Sequence, residues 1–260
     1  MIVFKKAFTL VELLVVMAVI ALLISVLIPA LSAARSQGKV VVCKSNLRQL
    51  VLANTGYAIE NNGCFVLAAP DIWSANKQRW HGVRADENSP FDWHKSPLIS
   101  YIAGGGVKEC TQKVNFRKGS PWEFNYEDGC GGYGYNMTYI GSRIWEQYND
   151  KNCEKPVRNF EITSTARTIM FADCAMAQAD GGTPYYLEYS FAEPPLNDWG
   201  YAWPSIHFRH RGKANVGWVD GHISSEVMNG FNIVIYNGIN SSDVMLGWFG
   251  PLDNSLFDLK

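Results

Sequence analysis

An α+β fold, with one long N-terminal helix laid on an antiparallel sheet, is predicted by three features of the sequence. From Leu13 to Leu31 no residue carries a charge, and as a helix this run is about 28 Å long, the thickness of a bilayer's hydrocarbon core. Helical periodicity then continues through Val40, Cys43, Leu47, Leu50, Val51, Tyr57 and Ala58, while Lys39, Lys44, Arg48 and Gln49 fall elsewhere on the wheel. Beyond Cys64 the chain breaks into short segments set off by Gly, Pro and Asn. Two of them read as strand structure: a buried strand in Ala166–Asp173, and a hairpin in "KANVGWVDGHISSEVM" turning at Asp220-Gly221.

The helix is expected to stop at Asn61-Asn62-Gly63, whose residues accept left-handed backbone, with Gly38 a flexible point on the way. A helix from Phe8 to Asn61 is about 80 Å long, too long for a lone globular element. Its first half therefore belongs in a membrane or fibre, and its second half on a domain. Gly104-Gly105-Gly106 and Gly131-Gly132-Tyr133-Gly134 are glycine-rich, but neither opens a helix after a strand, so no phosphate-cradling loop is read there. Residues 180–205 form a long loop of turn residues and aromatics. The hairpin turn is read as a two-residue loop with positive φ at both Asp220 and Gly221.

With 23 basic and 24 acidic residues among 260, the net charge of −1 supplies no global field for nucleic acid. The six cysteines (Cys43, Cys64, Cys110, Cys130, Cys153, Cys174) include no C-x-x-C spacing. That speaks against a structural zinc site and leaves disulfides or buried thiols, with disulfides favoured if the domain lies outside the cytoplasm.

Glu12 is the anomaly of the apolar segment, because a carboxylate in hydrocarbon costs a few kcal/mol and needs a partner or a task. A plain anchor leaves it unexplained. A signal peptide cut near Ser32-Ala33-Ala34 also fits poorly, since the apolar run exceeds the usual h-region of about 7–15 residues. Charge gives no clear orientation: Lys5 and Lys6 precede the segment, while Arg35, Lys39, Lys44 and Arg48 follow it.

The run Lys5-Lys6-Ala7-Phe8-Thr9-Leu10-Val11-Glu12 resembles the type IV prepilin processing signal, a short basic leader followed by Phe-Thr-Leu-x-Glu. The family's usual Gly before the cut is Ala7 in this chain. The resemblance implies cleavage between Ala7 and Phe8 by prepilin peptidase, N-methylation of Phe8, and pairing of Glu12 with the Phe8 amine of a neighbouring subunit during assembly. Pro29 stands where pilin-like proteins often carry a helix-kinking proline. A second resemblance lies near the end, where His210, nine residues and then Asp220-Gly221 match the H-X9-DG motif often found with prepilin-type N-termini. "CKSNLRQLVLANTGYA" and "GGYGYNMTYIG" are similar to the same proteins, whereas Cys110-Thr111 stands where they commonly have Cys-Pro.

These resemblances imply a leader over residues 1–7, a transmembrane and assembly helix over 8–36, and a pilin-like globular domain over 37–260. They imply a structural subunit of a type II secretion pseudopilus or a type IV pilus-like fibre, without enzymatic activity or cofactor. Its expected place is a single pass of the inner membrane with the domain periplasmic, or extracellular in an assembled fibre. Its expected partners are prepilin peptidase, other pilin or pseudopilin subunits and the membrane, with secreted clients or glycans as further candidates and no nucleic acid.

His207, His210, Asp220 and His222, brought together across the hairpin with Asp173 on an adjacent strand, are metal-ligand candidates by residue type, set against the reading that Asp220 serves the turn and His210 the hairpin backbone. Asp173, Asp180, Asp198 and Asp220 are too scattered for a calcium loop. No nucleophile elbow, HExxH or paired-carboxylate signature is present. Trp73, Trp80, Trp93, Trp122, Trp199 and Trp203 lie in loop-like sequence. If exposed they would make a membrane-anchored glycan- or client-binding module the rival to a structural subunit.

Overall fold

The computed structural model describes residues 9–87, 89–102, 104–112, 114, 116–117, 127–198, 200–235 and 238–260. The chain divides into two compact units, Met1–Lys39 and Val40–Lys260. One helix, α1 (Leu10–Glu60), contributes to both. In the first unit every residue from Thr9 to Arg35 is exposed. Pro29 lies inside the helix and removes one backbone donor there.

The second unit begins with the amphipathic part of α1, which buries Cys43, Asn46, Leu47, Leu50, Val51, Ala53, Asn54 and Ala58. The helix ends where expected. Asn62 and Gly63 take φ of 55° and 80°, and Gly63 N–H donates to the Ala58 carbonyl at 2.8 Å, which satisfies a carbonyl that the last turn leaves open.

In chain order the strands are β1 (Gln78–Arg79), β2 (Gly82–Val83), β3 (Tyr133–Tyr135), β4 (Ile169–Asp173), β5 (Met176–Asp180) and β6 (Thr183–Leu187). They continue with β7 (Leu196–Asn197), β8 (Gly200–Tyr201), β9 (Ile206–His207), β10 (Lys213–Trp218), β11 (Ile223–Val227) and β12 (Leu246–Gly247). The principal sheet is antiparallel throughout, in the order β11-β10-β4-β3. β4 is buried along its whole length but is shorter than expected: Ala166 and Arg167, read as the start of the buried strand, are exposed in a turn before Ile169.

One face of this sheet receives α1. At Gly217 of β10 a Cβ would stand 2.7 Å from Val51 Cγ2, so a glycine is what lets the helix come this close. Leu47, Leu50 and Val51 join Tyr133, Tyr135, Met170 and Phe171 in one core. The other face packs Ile169, Ala172, Ala214 and Val216 against Phe208, Trp248 and Phe257. The pairing of β10 with β4 shifts between Gly217 and Trp218, a bulge that leaves Met170 unopposed, and the consecutive Met170 and Phe171 lie in the first core between Ile169 and Ala172 of the second.

Two asparagines tie α1 to this core by hydrogen bonds. Asn54 Nδ2 donates to Tyr135 Oη at 3.0 Å while its Oδ1 accepts from Val66 N–H at 3.0 Å. Asn46 Nδ2 donates to Tyr133 Oη at 3.3 Å. Trp80, in a turn after β1, fills core as most such tryptophans do, fully buried with its indole N–H on the Ser190 carbonyl at 2.9 Å. Trp73, Trp93 and Trp203 are exposed by 40%, 38% and 48%. Trp122 and Trp199 lie outside the described residues.

Candidate functional site

The start of α1 is built by a capping box. Glu12 Oε2 accepts from Thr9 N–H at 2.8 Å and from Thr9 Oγ1 at 2.7 Å, and Glu12 N–H donates back to Thr9 Oγ1 at 3.3 Å. Thr9-x-x-Glu12 fits the S/T-x-x-E signature, in which two otherwise orphaned donors of the first turn are satisfied reciprocally. The spacing that signals it is local and stands in the sequence. Glu12 thus has a local partner in the single chain. Ala7 and Phe8 lie outside the described residues.

Downstream of Glu12, α1 is long and apolar enough to cross a membrane, and its most apolar window has no residue buried by the chain itself. Burying a Leu, Ile or Val side chain is worth about 1.5–3 kcal/mol. A run in which none is covered therefore calls for a cover from outside the chain.

The hairpin β10–β11 forms as predicted, but its turn is different. Gly221 alone takes a positive φ, at 94°, and Gly221 N–H donates to the Trp218 carbonyl at 3.0 Å. The loop consists of Val219, Asp220 and Gly221, with Gly221 in the left-handed position that follows a type I turn. Asp220 has a side-chain task. Its Oδ1 accepts from His222 N–H at 3.0 Å and meets His222 Nδ1 at 2.6 Å.

The four candidate ligands do not converge. His222 and Asp220 pair with each other at the turn. His207 is buried in β9 beside the Tyr186 ring at 4.9 Å, and burial pushes its pKa well below the ordinary value. His210 is elsewhere, beside Asp173 of the adjacent strand as expected, and beside a cysteine that no sequence spacing indicated. Its Nε2 is 3.2 Å from Asp173 Oδ2 and 3.5 Å from Cys110 Sγ. Its backbone also serves the hairpin, with reciprocal bonds to Lys213 at 2.9 and 3.2 Å.

This cluster draws on four parts of the second unit: Cys43 from α1, Cys110 from an irregular segment, Asp173 from the end of β4, and His210 just ahead of β10. Cys43 Sγ and Cys110 Sγ are 2.8 Å apart, and Thr111 N–H donates to Cys43 Sγ at 3.2 Å. Asp173 Oδ2 accepts from Asn215 N–H at 2.7 Å, while Asp173 Oδ1 and His210 Nδ1 are buried without a hydrogen-bond partner among the described residues. Arg209 lies close by and donates through Nη2 to the carbonyls of Gly132 and Cys174. The hydrogen bond from Cys110 holds the Cys43 thiol well below the ordinary thiol range against the effect of burial, and Cys110 is pushed up in turn. Burial opposes a charge on His210, but its bond to Asp173 and the neighbouring Cys43 raise it to about 9.

By distance, Cys43, Cys110 and His210 can each offer one ligand atom to a metal, all within 4.8 Å of one another. The fit to tetrahedral zinc is imperfect, because two thiolates on bonds of about 2.3 Å stand roughly 3.8 Å apart.

Residues 4–28 match the family model of the prokaryotic N-terminal methylation motif. No curated protein and no solved structure matches the chain. The matched segment covers Lys5 to Glu12 and most of the apolar run. The chain thus carries, over these residues, the N-terminal methylation motif of proteins that prepilin peptidase processes, at the start of a helix long and apolar enough to cross a membrane.

Proposed function

We propose that this protein is a structural subunit of a type II secretion pseudopilus or a type IV pilus-like fibre. The observation that carries the reading is the N-terminal methylation motif running directly into α1, whose most apolar window has no residue buried among the described residues. Cleavage between Ala7 and Phe8 removes Lys5 and Lys6 and creates a new amine at Phe8. Residues 8–36 then sit in the inner membrane until assembly exchanges lipid for the apolar helices of neighbouring subunits. The domain from residue 37 onward lies on the periplasmic side, or outside the cell in an assembled fibre.

Glu12 has two successive tasks in this scheme. In the free subunit its carboxylate closes the capping box with Thr9. In the fibre it meets the Phe8 amine of the adjacent subunit, since a carboxylate buried among apolar helices needs a cation. Prepilin peptidase and other pilin-like subunits are the partners this requires, and the His210, Asp220 and Gly221 motif belongs to the stability of the domain.

The test is to express wild type and Glu12→Ala together with the assembly machinery and compare sheared fibres and crosslinked oligomers. The variant is expected to insert and fold but not to assemble, because a buried amine without its counter-charge costs about 3–5 kcal/mol. Normal fibres from Glu12→Ala would remove the assembly role of Glu12, and absence of fibres or oligomers from wild type would remove the subunit reading itself.

A further inference from the structure

We infer that Cys43 and Cys110 form a disulfide that fastens the buried half of α1 to the irregular segment around residues 104–112. The two residues are 67 positions apart in the chain, yet their sulfurs lie 2.8 Å apart. To bond, they need only approach to about 2.05 Å, a side-chain adjustment of well under 1 Å. To share a zinc ion they would have to separate by about the same amount or more, to roughly 3.8 Å. The surroundings resist separation: Cys43 is fully buried on the helix, and Thr111 N–H at 3.2 Å and His210 Nε2 close in on the pair.

The segment also has need of a fastening. Among the described residues from Gly104 to Val114 there is no helix or strand, and Cys110 N–H on the Gly131 carbonyl at 3.0 Å is one of its few backbone ties. Closing a loop of this length removes much of the unfolded chain's freedom. The inference rests on the proposed function in one respect, that the domain is exported to a compartment where disulfides persist.

The oxidant is an organic disulfide, R–S–S–R, such as that of an envelope thiol oxidoreductase. Cys110 is partly exposed and Cys43 is fully buried, so the incoming disulfide meets Cys110 first. Cys110 passes its proton to Cys43 beside it and, as the thiolate, attacks one sulfur, forming a mixed disulfide and releasing R–S⁻. Cys43 then attacks the Cys110 sulfur, the Cys43–Cys110 bond forms, and the second R–S⁻ leaves. The pair gives up two electrons and two protons, and the oxidant leaves as two thiols.

The experiment uses the full chain extracted in detergent from the native envelope. Free thiols are alkylated under denaturing conditions before any reduction, and the protein is digested for mass spectrometry with its metal content measured in parallel. The expected result is a linked peptide pair containing Cys43 and Cys110, two hydrogens lighter than the separate peptides, without a stoichiometric metal. A second arm equilibrates reduced protein with glutathione buffers. Closure there but not in extracted protein supports the pairing and overturns the export reading. Thiols that stay open in excess oxidised glutathione, a bond from Cys43 to another cysteine, or one equivalent of zinc that Cys110→Ser abolishes would each overturn the pairing. Cys110→Ser is also expected to melt several degrees lower than wild type, a gap that closes when both are reduced with dithiothreitol. A gap of unchanged size after reduction would overturn it as well.

Discussion

The two halves of α1 are both strongly apolar, but they solve different problems. From Thr9 to Arg35 every residue is exposed. From Cys43 to Ala58 the helix buries six apolar residues and two asparagines against the sheet. In the second half the chain provides its own cover, down to the glycine at 217 that admits Val51 and the tyrosine hydroxyls that meet Asn46 and Asn54. The first half is apolar all round and has only Glu12 as a charged group before Arg35. A helix face that the fold completes can be tested by melting the fold. A helix surface that only lipid or other subunits complete can be tested only by insertion and assembly.

Substitutions of one type in the two halves should therefore part company. Leu47→Ala removes a fully buried side chain from the core and is expected to cost about 2–5 kcal/mol in denaturant unfolding of the detergent-extracted protein. Leu22→Ala, in the exposed run, is expected to leave that transition unmoved. Equal losses from both would erase the distinction. Asn54→Ala is next in size. It strips the partner from Val66 N–H and one of two from the Tyr135 hydroxyl, both buried, for about 1–3 kcal/mol.

Gly221→Val sharpens the comparison from the far end of the unit. No neighbouring atom obstructs a side chain there, since nothing lies within 4 Å of the Cβ position. The cost comes from a β-branched residue in left-handed backbone, about 1–2 kcal/mol, and should appear in unfolding and not in membrane insertion.

The smallest effect is a pH dependence confined to the second unit. His81 is fully buried, and burial lowers its pKa below 6.5. Burial opposes the charge on Glu127 too, but Arg79 at 2.9 Å, with His81 and Ser190, holds its carboxyl below 4.5. Both groups bind protons more weakly folded than unfolded, so each contributes stability that is present above its ordinary value and lost on acidification. Unfolding free energy should fall first as pH drops below 6.5 and again below 4.5, by at most about 1.4 kcal/mol per pH unit for each group. Buried His207, lowered likewise, adds to the first decline, so His81→Phe should make it shallower without removing it, and a profile unchanged by the substitution would assign the decline to other groups.

How far the sequence is legible follows the range of the interactions. The helix and its stop at Asn62-Gly63, the buried strand ending at Asp173 and the hairpin after Lys213 are local patterns, and each forms, although the strand starts at Ile169 and not at Ala166. The turn was misread by one residue because Asp-Gly suits both a two-residue loop and the last two places of a three-residue one. The capping box at Thr9 was legible and overlooked. Of the cluster, the nearness of Asp173 to His210 is legible from the adjacent strand, but that of Cys43 and Cys110 is not, since they come from a helix and an irregular segment that only tertiary packing brings there. The indole partner of Trp80 is not legible for the same reason: Ser190 lies 110 residues away.

The central claim is that the exposed half of α1 is a processed assembly helix that stays in the mature protein. The most direct measurement is mass spectrometry of the N-terminus of membrane-extracted protein from cells that contain prepilin peptidase. The expected result is a chain that begins at N-methyl-Phe8 and retains the run from Leu13 to Leu31. A mature N-terminus near Ala33, with that run removed, would contradict the claim.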